Sequence, residues 1–145
     1  MDRDAELQAL VDHGRIVDTL SRYASSIDGK DFVGLRAVFT DDATARYGDR
    51  DWMTGADAIV GWIAGYAEQQ AWQHHHVSVY HVELDVDGDG EVARTVTSHL
   101  CHQAPLADPQ LVTLMMGQYH DELRRDGDGW RIARREMTVS WRGTR

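Results

Sequence analysis

The chain has 145 residues, the size of one domain, which is long enough to bury a hydrophobic core without disulfides or a structural metal. Its 24 Asp and Glu against 15 Lys and Arg give a formal net charge of −9, which argues against nucleic acid as a partner. The single cysteine, Cys101, cannot close an intrachain disulfide, and no segment reaches the roughly 20 apolar residues of a membrane span. We expect a single cytoplasmic domain over residues 1–145 with no membrane partner, since the charged N-terminus also lacks the pattern of a signal peptide.

The first part of the chain has the pattern of helices. Apolar residues recur at helical spacing from residue 5 to residue 27, with a possible break near Gly14. We expect this helix to end at Asp28 and Gly29, because glycine is favoured just beyond a helix end, where the backbone turns left-handed. Asp31 is placed to cap a short second helix, and residues 40–42 predict a turn after it.

The pattern changes from helices to strands in the second half. Residues 43–47 predict a short strand, and Thr54 and Asp57 form a capping-box-like start for a third helix. Four long antiparallel strands are then predicted, over residues 72–86, 92–103, 111–123 and 130–141. Helices followed by a meander of strands predict an α+β domain, with the helices on one face of a curved sheet.

Four of the eight histidines lie within residues 72–81, a segment of strand-like residues. Side chains alternate between the faces of a strand, so His75 points one way and His74 and His76 the other. A histidine on a face that lines a pocket is suited to general acid and base catalysis near neutral pH. For any one histidine taken alone, a surface strand or a polar side chain satisfied by a neighbour is the alternative.

Other residues could share such a pocket. Asp28 is either an ordinary Asp-Gly helix stop or a carboxylate that holds a sheet histidine in one tautomer. Tyr23 is either a core aromatic or a hydrogen-bond donor at the pocket. His99 and His102 are three residues apart in one predicted strand and therefore on opposite faces, so only one can share a pocket with His75.

The common cofactor motifs are absent from the sequence. It contains no HExxH helix, no HxH pair followed by an acidic ligand, no glycine-rich phosphate loop, no GxSxG elbow and no Cys–His nucleophile pair. We therefore expect neither a metal nor an organic cofactor. Proton transfer and plain ligand binding remain as functions.

Three segments, residues 23–32, residues 73–78 and residues 117–123 leading to 129–132, resemble the SnoaL-like group of the nuclear-transport-factor-2-like superfamily in their order and spacing. The resemblance covers nearly the whole chain. It implies a cone-shaped barrel, in which a strongly curved antiparallel or mixed sheet wraps around three N-terminal helices and leaves an apolar pocket at the open end. Because one such scaffold hosts many activities, the resemblance specifies the fold better than the reaction.

Within this group the chain is most similar to the dehydratase branch, which includes scytalone dehydratase and bile-acid dehydratase and lies near ketosteroid isomerase and the polyketide cyclases. In that branch an Asp at the end of the first helix pairs with a His on the first long strand, which implies a pair of Asp28 and His75 here. Tyr47, Tyr23 and His102 match further site residues of the branch. The resemblance thus implies five catalytic candidates.

Two positions stay open. The run of three histidines leaves the pocket residue to be chosen among His74, His75 and His76. The arginine used by bile-acid dehydratases has two possible counterparts, Arg134 and Arg135, in the last predicted strand.

Two functions follow as hypotheses. The first is a cofactor-independent dehydratase, isomerase or cyclase acting on a small, mostly apolar carbonyl or hydroxyl compound of the steroid, polyketide or aromatic type, with His75 oriented by Asp28 as acid and base. The alternative is a non-catalytic ligand-binding or assembly domain, like the small subunits of ring-hydroxylating dioxygenases. Members of the superfamily associate through the outer face of the sheet, so a homodimer or homotrimer is expected, with Trp72 and Trp141 offering apolar surface.

Overall fold

A computed structural model describes residues 2–144. The first half holds three helices and two strands: α1 (Arg3–Asp28), α2 (Phe32–Ala37), β1 (Phe39–Tyr47), β2 (Met53–Thr54) and α3 (Ala56–Ala67). Four long strands follow: β3 (Gln70–Glu83), β4 (Val92–Pro105), β5 (Thr113–Asp126) and β6 (Gly129–Thr144). The predicted α+β class and the four long strands are confirmed.

All six strands form one mixed sheet in the order β2-β1-β6-β5-β4-β3. β1 runs parallel to β6, and every other neighbouring pair is antiparallel. β2 is only two residues long and pairs with β1 alone, so within residues 2–144 the sheet is not closed between its two edges. The architecture is the expected one, with helices packed on a mixed sheet in a cone-like fold. The barrel is open, and not fully closed.

The end of α1 determines where Asp28 lies. The helix continues without a break past Gly14 and ends at Asp28, as predicted. The expected left-handed glycine is wrong, because Gly29 has a right-handed φ of −86° and Lys30 takes the left-handed φ of 53°. The Lys30 side chain reaches β3, where its Nζ donates a 2.7 Å hydrogen bond to the Gln70 carbonyl. This bond holds the end of α1 against the start of β3.

Two further local expectations need correction, and one is confirmed. The Asp31 side chain caps α2 by accepting a hydrogen bond from the Gly34 N–H at 2.9 Å, as predicted. Residues 40–42 belong to β1 instead of a turn, because the parallel pairing with β6 already begins at Phe39, which is fully buried. The predicted capping box is wrong as well. Thr54 lies in β2, and α3 starts after Gly55 without a side-chain cap.

The helices cover one face of the sheet, and β4 shows this face by burying alternate residues. The buried residues at alternate positions are Ala93, Thr95, Thr97, His99, Cys101 and Gln103, and Ala104 near the end of the strand is buried as well. We call this the inner face and the opposite one the outer face. None of the helices in the described part of the chain is long and apolar enough to cross a membrane.

An ion pair with a buried carboxylate joins α1 to the end of β5 and the start of β6. The Arg125 guanidinium donates to both oxygens of Asp12 at 2.9 Å, and the Trp130 indole N–H donates to the same carboxylate at 3.1 Å. The hydrogen bond from Arg125 lowers the pKa of Asp12 to about 2. The carboxylate therefore stays charged and fixes the helix over β5 and β6.

Candidate active site

A cavity of about 720 Å³ opens between the helices and the inner face of the sheet. Aromatic side chains form much of its wall. The Trp62 ring centroid lies 4.9 Å from that of Tyr47, at an interplanar angle of 32°, and 6.5 Å from that of Tyr66, at 22°. A cavity of this size, with an aromatic wall and polar side chains beside it, is typical of a small-molecule site.

Asp28 and His75 meet at this cavity. The His75 ring Nδ1 lies 2.5 Å from one Asp28 carboxylate oxygen, and the His75 backbone N–H donates to the other oxygen at 2.8 Å. The His75 side chain is 7% exposed and lines the cavity. Because the carboxylate can only accept, Nδ1 carries the proton in the neutral ring, and Nε2 is left with a free lone pair.

Strand alternation selects His75 from the run of three histidines. His74 and His76 are exposed, whereas His75 lies on the inner face opposite Cys101 of β4. Asp28 reaches it because it is the last residue of α1, which packs across the start of β3. The structure thus brings together the two residues that the sequence analysis paired.

Two tyrosines form a second polar group in the same cavity. The hydroxyls of Tyr23 and Tyr47 lie 2.8 Å apart, and both side chains line the cavity. Burial raises the pKa of each phenol above its ordinary value, and for Tyr23 the nearby Arg135 charge partly offsets this rise. Both phenols therefore remain protonated and can donate hydrogen bonds.

The two candidate arginines of β6 lie on different faces. Arg135 is buried, donates from Nε and Nη2 to the Asp121 carboxylate at 2.7 Å each, and lies 4.0 Å from the ring centroid of Tyr23 and 3.9 Å from that of Tyr119. Its Nη1 has no hydrogen-bond partner within residues 2–144. Arg134 instead covers the Trp52 ring on the outer face. Arg135 is therefore the arginine next to the tyrosine pair.

The two histidines of β4 occupy opposite faces, as predicted, but the candidate His102 is on the outer one. Its ring centroid lies 6.4 Å from that of His76, and it does not line the cavity. His99 is on the inner face, 1% exposed, with its ring stacked on Tyr119 at 4.5 Å. The structure does not bring His102 to the other candidates, because it pairs with exposed His74 and not with His75.

His99 has no hydrogen-bond partner on either ring nitrogen among the described residues. Burial lowers its pKa to about 4, although the Thr138 backbone facing the ring favours the charged form. The ring is therefore neutral near pH 7. The pairing register of β3 with β4 could have identified His99 as an inner-face residue, since it shares that face with Cys101, the partner of His75.

A glutamine pair at the cavity was missed by the sequence analysis. Gln73 Nε2 donates to Gln103 Oε1 at 3.1 Å, and Gln103 Nε2 donates to the Tyr66 hydroxyl. Gln73 Oε1 is buried and has no partner in the described part of the chain. The available signal was alternation, because Gln73 lies two residues before His75 and so on the same face.

No group of three or more His, Cys, Asp or Glu side chains within residues 2–144 is arranged to hold a metal ion. The polar groups at the cavity include His75 with its partner Asp28, the tyrosine pair and the glutamine pair. Their chemistry is that of proton transfer and hydrogen bonding.

Several solved structures share this fold. A protein named as a candidate scytalone dehydratase from Novosphingobium aromaticivorans has a TM-score of 0.84 at 21% identity, over 94% of this chain and 89% of its own. A hexachlorocyclohexane dehydrochlorinase from Novosphingobium barchaimii has a TM-score of 0.82 at 14% identity, over 97% and 94%. A ketosteroid isomerase-like protein from Erwinia carotovora atroseptica has a TM-score of 0.74 at 18% identity, over 88% and 95%. At these identities the likeness shows a common fold.

Comparison with curated proteins found no match. Comparison with family models did find one, which supports the resemblance seen in the sequence. The model of the SnoaL-like domain matches residues 8–136, most of the chain. The chain therefore belongs to the SnoaL-like domain family.

Proposed function

We propose that this chain is a lyase or isomerase that removes a proton from a carbon atom of a small, mostly apolar carbonyl or hydroxyl compound. The observation that carries this proposal is the contact between Asp28 and His75, whose side chain lines the cavity. A domain that only binds a ligand has no need of a carboxylate hydrogen-bonded to an imidazole at its pocket. The fold adds support, since named dehydratase, dehydrochlorinase and isomerase-like proteins share it.

His75 is the base in this scheme. Its Nε2 lone pair takes a proton from the carbon next to the carbonyl, and the electrons of the broken C–H bond move into an enolate. Asp28 stabilises the imidazolium that forms and keeps the ring oriented, as a carboxylate does in other His-carboxylate pairs. The low exposure of His75 strengthens both effects by excluding water.

The tyrosine pair is suited to the developing negative charge. One hydroxyl of Tyr23 and Tyr47 donates to the other, and the remaining O–H is available for the enolate oxygen. The imidazolium of His75 then returns its proton. Transfer to a departing β-hydroxyl breaks the C–O bond and releases water, whereas transfer to another carbon completes an isomerisation.

The homodimer or homotrimer expected from the sequence stays a prediction. Trp141 is 46% exposed on the outer face, which leaves apolar surface for a homodimer or homotrimer. Trp72 is partly covered, and its indole N–H donates to the Pro109 carbonyl at 3.2 Å. Its role is then at least in part within the chain.

Proton abstraction can be tested without knowing the natural substrate. We would incubate the protein in D2O with 2-tetralone and with a 5-ene-3-keto steroid, and follow deuterium uptake next to the carbonyl by NMR. His75→Gln should lower the exchange rate at least 100-fold, in the range of a lost general base. His74→Gln is the matched control, because His74 is exposed on the opposite face. Equal exchange by the wild type and His75→Gln would disprove the role of His75, and ketone binding without exchange would favour the ligand-binding alternative.

A further inference from the structure

We propose that the mouth of the cavity binds a carboxylate carried by the substrate, through Arg50 and Arg142. The substrate would then be a ring compound with an anionic group, and not a neutral apolar molecule. This inference names the substrate class of the proposed active site and so rests on the proposed function, but its binding test is independent of turnover.

A β-bulge directs Arg142 into the cavity. Gly117 of β5 pairs with Val139 of β6, while the preceding residue Met116 pairs with Trp141, so Ser140 is an extra residue in β6. An extra residue reverses the alternation of side chains beyond it. Without the bulge Arg142 would lie on the outer face. With it, Arg142 lies opposite the inner-face residue Met115, and both line the cavity.

Arg50 approaches the same opening from another element. It lies in the loop between β1 and β2, is exposed, and lines the cavity. Its guanidinium carbon lies 5.2 Å from the ring centroid of Trp62, a cation–π contact that holds the side chain at the aromatic wall. Two arginines from distant parts of the sequence therefore border one opening.

Neither arginine has a carboxylate within ion-pair distance among residues 2–144, although the chain carries a net charge of −9. Asp49, exposed in the same loop as Arg50, also lines the cavity and pairs with neither. The third arginine of the lining, Arg46, is bound to Glu136 at 3.0 Å. The one described partner of Arg142 is the Met115 sulfur at 3.3 Å, a weak acceptor. The donors of both guanidinium groups are thus available to a ligand.

The two ends of the cavity differ in chemistry. The arginines are exposed and mark the mouth, whereas Tyr23, Tyr119 and Cys101 are at most 3% exposed and mark the deep end. Between them runs the aromatic wall of Tyr47, Trp62 and Tyr66. A flat ring system placed on this wall would have one end at the arginines. Guanidinium groups bind carboxylates through paired, charge-assisted hydrogen bonds, so a carboxylate fits that end.

The test compares two ligands of the same shape, 2-naphthoate and 2-naphthalenemethanol, by isothermal titration calorimetry. The wild type should bind the carboxylate at least about tenfold more tightly than the alcohol. The double variant Arg50→Gln with Arg142→Gln should bind both equally, with unchanged affinity for the alcohol. The matched control is Arg3→Gln with Arg22→Gln, which changes the net charge equally at exposed positions of α1 and should keep the preference.

Two results would overturn the inference: no preference for naphthoate in the wild type, or a preference that survives in the double variant. Circular dichroism verifies folding, and if the double variant fails to fold, each single exchange should lose part of the preference. Deuterium exchange that depends on His75, without a carboxylate preference, would reject this inference alone. A carboxylate preference without any exchange would reject the proposed function and leave the anion site.

Discussion

The carboxylate of Asp28 binds both the ring and the backbone of His75. One oxygen lies 2.5 Å from the ring Nδ1, and the other accepts from the backbone N–H at 2.8 Å. The last residue of α1 thus aligns the imidazole and also docks β3 against the helix. Changes at Asp28 should therefore affect both the tautomer of His75 and the attachment of the strand.

Asp28→Asn should remove proton abstraction while the fold persists. The amide oxygen can still accept the backbone N–H, but the amide nitrogen then faces Nδ1 and makes it an acceptor. The neutral ring then carries its proton on Nε2, the nitrogen needed as a base. We expect a loss of roughly 10²- to 10⁴-fold in deuterium exchange. Ring ¹⁵N chemical shifts would report the tautomer directly.

Asp18→Asn is the control for this change, since Asp18 is exposed on the same helix and should leave the exchange rate as it is. The expectation for Asp28→Asn fails if the tautomer changes but the rate stays at the wild-type value.

Tyr47→Phe should lower turnover more than it lowers stability. It removes one member of the hydroxyl pair and so one donor for the enolate oxygen, a loss of roughly 10²- to 10³-fold in rate. The lost buried hydrogen bond should cost about 1 kcal/mol in the free energy of unfolding, measured by urea denaturation. Tyr80→Phe, at a side chain that is 63% exposed, should change neither quantity. A normal rate in Tyr47→Phe would show that the hydroxyl pair does not touch the reacting group.

Much of the pair of Asp28 and His75 could be predicted from local sequence, because it depends on where a helix ends and on how side chains alternate along a strand. The predicted end of α1 at Asp28 was right, although Lys30 and not Gly29 is the left-handed residue there, and the alternation of a strand placed His75 apart from its neighbours. The choice of His102 depended on resemblance, and resemblance did not give the strand register. Register comes from the pairing of β3 with β4, which puts His99 on the inner face.

Non-local pairing explains the other differences. The early start of β1 depends on its parallel partner β6, some 90 residues away, as the first pair, Phe39 and Ile132, shows. The bulge at Ser140 has no turn residues that would mark it in the sequence. Its effect on Arg142 follows only from the pairing of β5 with β6. An arginine at the cavity mouth was therefore not predicted.

His99 should make the protein less stable in mild acid. Its pKa is lowered to about 4 by burial, while the unfolded chain titrates near the ordinary value of about 6.5. Between these values the unfolded state binds more protons, so the stability present above about pH 6.5 is lost as the pH falls towards 4. The contribution is on the order of 3 kcal/mol in the free energy of unfolding.

The comparison variant for this effect is His99→Phe, which keeps a ring on Tyr119 but cannot titrate. Its urea denaturation should depend less on pH between 7.5 and 4.5 than that of the wild type. His102→Phe, on the outer face of the same strand, should keep the wild-type dependence. Equal pH dependence in the wild type and His99→Phe would mean that another group is responsible.

Gly117→Ala should destabilise the protein and disturb the anion site together. A Cβ at Gly117 would lie 1.8 Å from the Thr138 carbonyl oxygen, so β5 and β6 must separate at the bulge. Overpacking of this kind costs about 1–3 kcal/mol, measured by urea denaturation, and the displaced bulge should weaken the naphthoate preference that depends on Arg142.

Gly61→Ala is the same exchange in α3, where a Cβ meets nothing within 4 Å. It should stabilise by about 0.5–1 kcal/mol, because alanine is the better helix former. A Gly117→Ala protein as stable as the wild type would show that the two strands separate without cost, and the bulge would then not hold Arg142 in place.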